Sequence, residues 1–255
     1  MIKAIIFDLG GVLIDVDMNR CLNNIKALGV DVDSLTRTSS ESNAPVSTVC
    51  EGVTISGALH EYQIGKIPTG KFITMIQQMS NPGTTRQQVL DAWNSCLLTL
   101  PKYKLDFVKQ LRSEGYATYL LSNTNDAHWK YILETSFPEP TEKYFDKTFL
   151  SQEMGMAKPD TEIYAEVLRQ IGTPANECLF IDDSSDNCKA AETLGIHTYN
   201  APVHTDYREK VLNLLKHIQC LLNSLYQGTK LVVSPLHDKS LVRKENGLTT
   251  DLERR

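Results

Sequence analysis

The chain has 255 residues, 41% hydrophobic and 22% charged, which excludes the disordered, collagen-like and disulfide-scaffold classes. Its net charge is −5 and no long basic run precedes the last few residues, so nucleic acid is not an expected partner. No stretch approaches the length of a membrane span, and the six scattered cysteines form no CxxC, which points to a reduced, cytoplasmic protein.

"IKAIIF" (2–7) is short, apolar and rich in isoleucine, the pattern of a strand buried on both faces. The run ends at Asp8, too short for a signal peptide and without a cleavage signature. Residues 16–100 carry helix-like stretches at 20–28, 69–79 and 84–98 and no convincing strand, so they read as a helical insertion. Within it, the Ser- and Thr-rich 34–57 is expected to be loop or short helices. A stripe of Leu105, Phe107, Val108 and Leu111 predicts a helix over 104–114, followed by a strand at 116–122 and a weaker one at 147–151.

Ile163, Tyr164, Val167, Leu168 and Ile171 predict a helix over 160–171. A strand at 178–183 follows, then a helix at 186–194 with Gly195 at its C-cap, and a weak strand at 197–200. Val211, Leu214, Leu215, Ile218, Leu221, Leu222 and Leu225 make 207–226 an amphipathic helix that packs on the core or on a second copy; 227–255 stays unassigned. Strand alternating with helix implies an α/β fold, a Rossmann-like parallel sheet flanked by helices. The expected division is an α/β core (1–15 and 101–205), a helical cap (16–100) inserted after strand one, and a C-terminal helix and tail (206–255).

In an open parallel sheet, ligands bind beyond the carboxyl ends of the strands. There this sequence places Asp8, then Ser122-Asn123-Thr124, then Lys158 in "GMAKPD", then Asp182-Asp183. A carboxylate can attack phosphorus and split one hard step into two. Attack of an anion on an anion needs charge neutralisation, from Lys158 and from a hard divalent cation. Mg²⁺ takes oxygen ligands, for which Asp8, Asp183 and the Gly10 carbonyl are suited. Ser122 and the N–H groups of 122–124 suit phosphate oxygens. Each motif alone has a plainer reading: Asp8 as a turn residue, Ser122-Asn123-Thr124 and Asp182-Asp183-Ser184-Ser185 as helix caps, Lys158 as a surface charge.

Together, "DLGGV", "LLSNT", "KP" and "IDDS", in this order over roughly residues 1–200, resemble the haloacid dehalogenase superfamily. "FDLGGVLIDVDMNR" and "LSQEMGMAKPD" look most like its alpha-glucose-1-phosphate phosphatases and the phosphatase domain of soluble epoxide hydrolases. The resemblance implies an Mg²⁺-dependent phosphatase of a small phosphorylated metabolite, a sugar phosphate by preference, acting as a monomer or homodimer. It makes Asp8 the nucleophile and Ser122, Asn123 and Lys158 the phosphate holders. Asp183 binds the metal, with Asp182 as a second ligand or outer partner.

One position departs from the pattern. Most phosphatases of the superfamily have a second Asp two residues after the nucleophile as general acid and base; here it is Gly10. Such a group is typically worth ~10²–10⁴ in rate. An anomeric leaving group would need less help, or His60, Glu61, Asp15 or Asp17 would substitute. The alternatives are a metal-independent 2-haloacid dehalogenase and a non-catalytic phosphometabolite binder. Against the first, Asp182 and Asp183 facing Asp8 would be a costly cluster of like charges without a cation.

Overall fold

The computed structural model describes residues 1–32, 49–50 and 53–226. Its centre is a five-stranded sheet in the order β5-β4-β1-β6-β7. The strands are β1 (Ala4–Phe7), β4 (Ala117–Ser122), β5 (Lys147–Leu150), β6 (Cys178–Asp182) and β7 (His197–Asn200), and every pairing is parallel. The five expected strands all form. β1 lies in the middle with all four residues buried, as its unbroken apolar run requires.

Side chains alternate across the sheet. Ile5 and Phe7 join one core cluster, with Leu105, Phe107, Val108 and Leu111 of α5 (Lys102–Ser113). Ala4 and Ile6 join the other, with Ile163, Tyr164 and Val167 of α8 (Thr161–Ile171). Each large side chain buried this way contributes about 1.5–3 kcal/mol. The C-terminal helix α10 (Arg208–Tyr226) buries Val211, Leu215 and Ile218 in the first cluster, so these positions of the expected stripe belong to the core.

Among the described residues between β1 and α5 lie the helices α1 (Met18–Ala27), α2 (Ile55–Gln63), α3 (Thr69–Met79) and α4 (Arg86–Asn94). These helices share their own hydrophobic cluster, in which Tyr62 stacks on Phe72 at 4.2 Å and Phe72 meets Trp93 edge-on at 4.9 Å. A capping box of Thr85 and Gln88 starts α4, two residues later than the expected boundary. One expectation is corrected: the stretch is not free of strands, because β2 (Val49–Cys50) and β3 (Val53–Thr54) form a short antiparallel pair. Most of the 34–57 expectation, and all of 227–255, lies outside the described residues.

Two segments lead into and out of this helical stretch, and they pair with each other. Asp15 N–H donates to Thr99 O (2.8 Å), Leu98 N–H to Asp15 O (2.9 Å) and Asp17 N–H to Cys96 O (2.8 Å). The Val16–Leu97 bridge is antiparallel. A second junction lies at the turn that ends α2, "YQIGKI" (62–67). Gly65, with φ +75°, sits so close to Gln152 that any side chain would overlap its carbonyl. The Ser151 hydroxyl lies 2.7 Å from Gln63 O.

Candidate active site

Parallel register brings the ends of the three central strands to one rim. Phe7 is level with Leu120 of β4 and Ile181 of β6, and Asp8 N–H donates to Ile181 O at 2.8 Å. Asp8, Ser122 and Asp182 therefore emerge side by side. Lys158 arrives from the loop after α7 (Ser151–Met154), which follows β5 directly.

Lys158 is the hub of the site and is 5% exposed, so the surface-charge reading does not hold. Its Nζ lies 2.7 Å from Asp8 Oδ1 and 2.6 Å from Asp182 Oδ2, and it donates to Leu121 O at 3.1 Å. All three ammonium hydrogens thus have acceptors. Burial works to lower the Lys158 pKa, but the carboxylates of Asp8 and Asp182 prevail and hold it above its usual value. Burial pushes the Asp8 carboxyl up to about 7, opposed by Lys158 and reinforced by Asp182.

Asn123 fixes Lys158 in place. Its Oδ1 accepts from Lys158 N–H at 2.8 Å and its Nδ2 donates to Lys158 O at 2.7 Å. The side chain expected on phosphate is therefore committed to the lysine backbone. The Thr124 N–H is committed as well, donating to Ser151 Oγ at 2.9 Å. Asn125 starts α6 (Asp126–Thr135) as its N-cap.

The neighbouring acids Asp182 and Asp183 differ. Asp182 is fully buried and saturated: Ser184 N–H (2.8 Å) and Asn187 Nδ2 (3.0 Å) reach Oδ1, while Lys158 and Asn187 (3.1 Å) reach Oδ2. Asp183 is partly exposed and packs on Gly11, where a Cβ would sit 2.5 Å from Asp183 Oδ2. Gly11, at φ +75°, is therefore required as glycine. Gly10 is not: its φ is unexceptional and a Cβ there would meet only Val16 Cγ1 at 3.6 Å. Burial, then Asp182, raises the Asp183 pKa.

Carboxylate oxygens of Asp8, Asp182 and Asp183 all lie within 4.8 Å of one another. Three acids against one ammonium leave an excess of negative charge, and the donors are hard oxygens, a set that fits a divalent cation such as Mg²⁺. A cavity of about 230 Å³ opens onto Asp8 of this cluster. Asp8, Gly10, Ser122, Asn123, Lys158 and Asn187 line its floor; Ile14, Val16, Met18, Cys96, Leu97 and Ile132 are among its walls.

The four candidate replacements for a second acid do not line this cavity. Asp15 pairs with buried Lys104 at 3.1 Å, Asp17 caps α1, and His60 is exposed on α2 beside Glu61. Sequence reasoning missed Asn187, which sits at the third position of α9 (Ser185–Glu192), behind its Ser184 cap. Ser-Ser-Asp-Asn after the acid pair carried that signal, since a polar third position points back toward the helix start. It also missed Asn200, whose Nδ2 donates to Asp182 O (3.1 Å) and Asp183 O (2.8 Å).

A family model, haloacid dehalogenase-like hydrolase, matches residues 2–195. The chain is 28% identical over 218 residues to the D-ribitol-5-phosphate phosphatase of Bacteroides thetaiotaomicron, covering 84% of this chain and 99% of that one. It is 28% identical over 202 residues to a sesquiterpene phosphatase of Aspergillus oryzae, covering 76% and 87%. Its fold matches a crystal structure of a haloacid dehalogenase-family enzyme of Bacteroides thetaiotaomicron in complex with magnesium and inorganic phosphate. That match has a TM-score of 0.70 and 39% identity, and covers 81% of this chain and 98% of that one. Among the described residues no helix is long and apolar enough to cross a membrane. The chain belongs to the haloacid dehalogenase-like hydrolases and stands among that family's phosphatases.

Proposed function

We propose that this chain is a Mg²⁺-dependent phosphatase that hydrolyses a small sugar phosphate through a phosphorylated Asp8. The observation that carries the reading is the buried lysine held between two carboxylates, with a third acid completing the oxygen cluster beside it. The phosphatase relatives, one acting on a pentitol phosphate, support the substrate class.

In this reading Asp8 Oδ attacks phosphorus, and the bond to the leaving oxygen breaks as the acyl phosphate forms. Lys158 neutralises charge on the phosphoryl oxygens, aimed by the Asn123 clamp and by Asp182. Ser122, lining the same floor, holds a phosphoryl oxygen, together with the Asn123 N–H rather than its amide. Asp8, Asp183 and the Gly10 carbonyl would hold Mg²⁺, with Asp182 as the outer partner because its oxygens are already taken. Bound there, Mg²⁺ supplies charge neutralisation between nucleophile and phosphate. Water then attacks phosphorus and frees Asp8. Gly10 supplies no proton, so the leaving oxygen takes one from solvent, which favours an acidic hydroxyl, as on an anomeric carbon, over the alkyl hydroxyl of a pentitol phosphate.

Turnover of p-nitrophenyl phosphate with and without Mg²⁺ tests this, because p-nitrophenolate leaves without a proton. Activity should require Mg²⁺ and fall on the order of 10⁴-fold or more in Asp8→Asn. Halide release from 2-haloacids without Mg²⁺, with no phosphate ester turned over, would overturn it in favour of the dehalogenase alternative.

A further inference from the structure

The cavity wall holds a second reactive group that the phosphatase chemistry does not use. Cys96 follows α4 on the segment that pairs with residues 15–17, and it lines the same cavity as Asp8. It shares a buried cluster with Cys21, which lies on the buried face of α1. Its Sγ lies 3.7 Å from His128 Nε2 on α6 and, as a thiol, donates to Trp93 O at 3.5 Å. Both cysteines are 1% exposed, so the cavity is the route by which a small reagent reaches Cys96.

The hydrogen bonds fix the tautomer of His128. Asn125 Oδ1 accepts from His128 N–H (3.1 Å) and from Trp93 Nε1–H (3.4 Å), which orients the amide. Asn125 Nδ2 therefore donates to His128 Nδ1 at 3.1 Å, and the ring proton resides on Nε2. That N–H faces Trp93 O (3.2 Å) and the Cys96 sulfur. His128 is thus a donor toward Cys96, suited to stabilise a thiolate rather than to take its proton. The neighbouring Cys21 side chain first, and His128 after it, hold the Cys96 thiol well below the usual range. The same contact, with burial, pushes Cys21 up. By contrast, burial pushes Cys178 up to about 12 and Cys188 up to about 11.

We propose that Cys96 is a peroxide-reactive site and that Cys21 resolves it to a disulfide. The Cys96 thiolate attacks one oxygen of hydrogen peroxide, the O–O bond breaks, and the other oxygen leaves as hydroxide, which takes up a proton to become water. Cys96 is then a sulfenic acid, oxidised by two electrons. The Cys21 sulfur attacks the Cys96 sulfur, an S–S bond forms, and the hydroxyl departs with the Cys21 proton as a second water. A transient bond of this kind is compatible with a reducing compartment. It would tie α1 to the segment whose Cys96 carbonyl accepts from Asp17 N–H, beside the Val16–Leu97 bridge.

The test is peptide mass mapping of the wild-type chain after graded hydrogen peroxide, with dimedone to trap sulfenic acid. Cys96 should be modified on the order of tenfold or more faster than Cys178 or Cys188. A Cys21–Cys96 linked peptide should appear and be lost on adding dithiothreitol. In Cys21→Ser the dimedone adduct on Cys96 should accumulate in place of the linked peptide. Cys96 remaining reduced at peroxide doses that oxidise the exposed Cys220 would overturn the proposal, as would Cys21 pairing elsewhere. The wild-type map needs no folded variant. The readout is mass rather than turnover, so it stands or falls apart from the phosphatase reading.

Discussion

The floor and the walls of the candidate active-site cavity are built on opposite principles. On the floor, Lys158 bonds Asp8, Asp182 and Leu121 O, Asn123 clamps the lysine backbone, and Asn187 bonds both oxygens of Asp182. Buried charges persist only when paired in this way, and a saturated network leaves them one geometry. The walls are largely apolar, with Ile14, Val16, Met18, Leu97 and Ile132. They come from four places in the chain: the β1 loop, α1, the return segment and α6. The floor is thus fixed by a few strong bonds and carries the groups proposed for the chemistry. The walls are shaped by packing and set what fits.

Gly10 lies where floor meets wall, and Gly10→Asp breaks the contrast most directly. The backbone accepts a side chain there, and the added Cβ would touch only Val16. Turnover of simple alkyl phosphates, whose leaving oxygen needs a proton, should rise roughly 10²–10⁴-fold. Turnover of p-nitrophenyl phosphate should change far less. Equal gains on both esters would show that the new acid acts on the second, hydrolytic step instead.

Lys158→Ala attacks the floor itself. It strands Asp8 and Asp182 as buried carboxylates without a counter-charge, at a cost of about 3–5 kcal/mol. The Tm should fall by roughly 10 °C, and kcat by on the order of 10²–10³-fold. Added Mg²⁺ should recover part of the Tm and little of kcat. A Tm unchanged within error would mean that the two ion pairs of Lys158 add no net stability.

The floor was legible in the sequence because its main groups sit at strand ends. Apolar runs ending in Asp8, Ser122 and Asp182 mark both the strands and the rim they share. Lys158 was placed by its motif, but not its burial or its clamp by Asn123, since the two are 35 positions apart and meet only in the folded chain. The difference between Asp182 and Asp183 was not legible either. It depends on where α9 begins and how Asn187 turns back. The walls were least legible: a helical period identifies the buried face of α1 or α4 but not which neighbour it meets. Nor did local pattern show that residues 15–17 pair with 96–99.

The two neighbouring acids divide the floor further. Asp183→Asn removes a carboxylate that packs on Gly11 beside the oxygen cluster, so the Mg²⁺ concentration for half-maximal activity should rise roughly 100-fold, with little change in Tm. An unchanged Mg²⁺ requirement would move the metal to Asp182.

Asn187→Ala makes the smallest and most discriminating change. It removes two hydrogen bonds from a fully buried carboxylate that keeps Lys158 and the Ser184 N–H. Losing partners of a buried charged acceptor costs about 1–3 kcal/mol, because water cannot replace them. Asp182 would then lean harder on Lys158 and draw it from Asp8. The expected result is about a tenfold lower kcat at unchanged KM, and a Mg²⁺ requirement close to wild type. A rise in KM instead would place Asn187, which also borders the cavity, in contact with the substrate. That part of the polar floor would then act on the substrate directly rather than through Asp182.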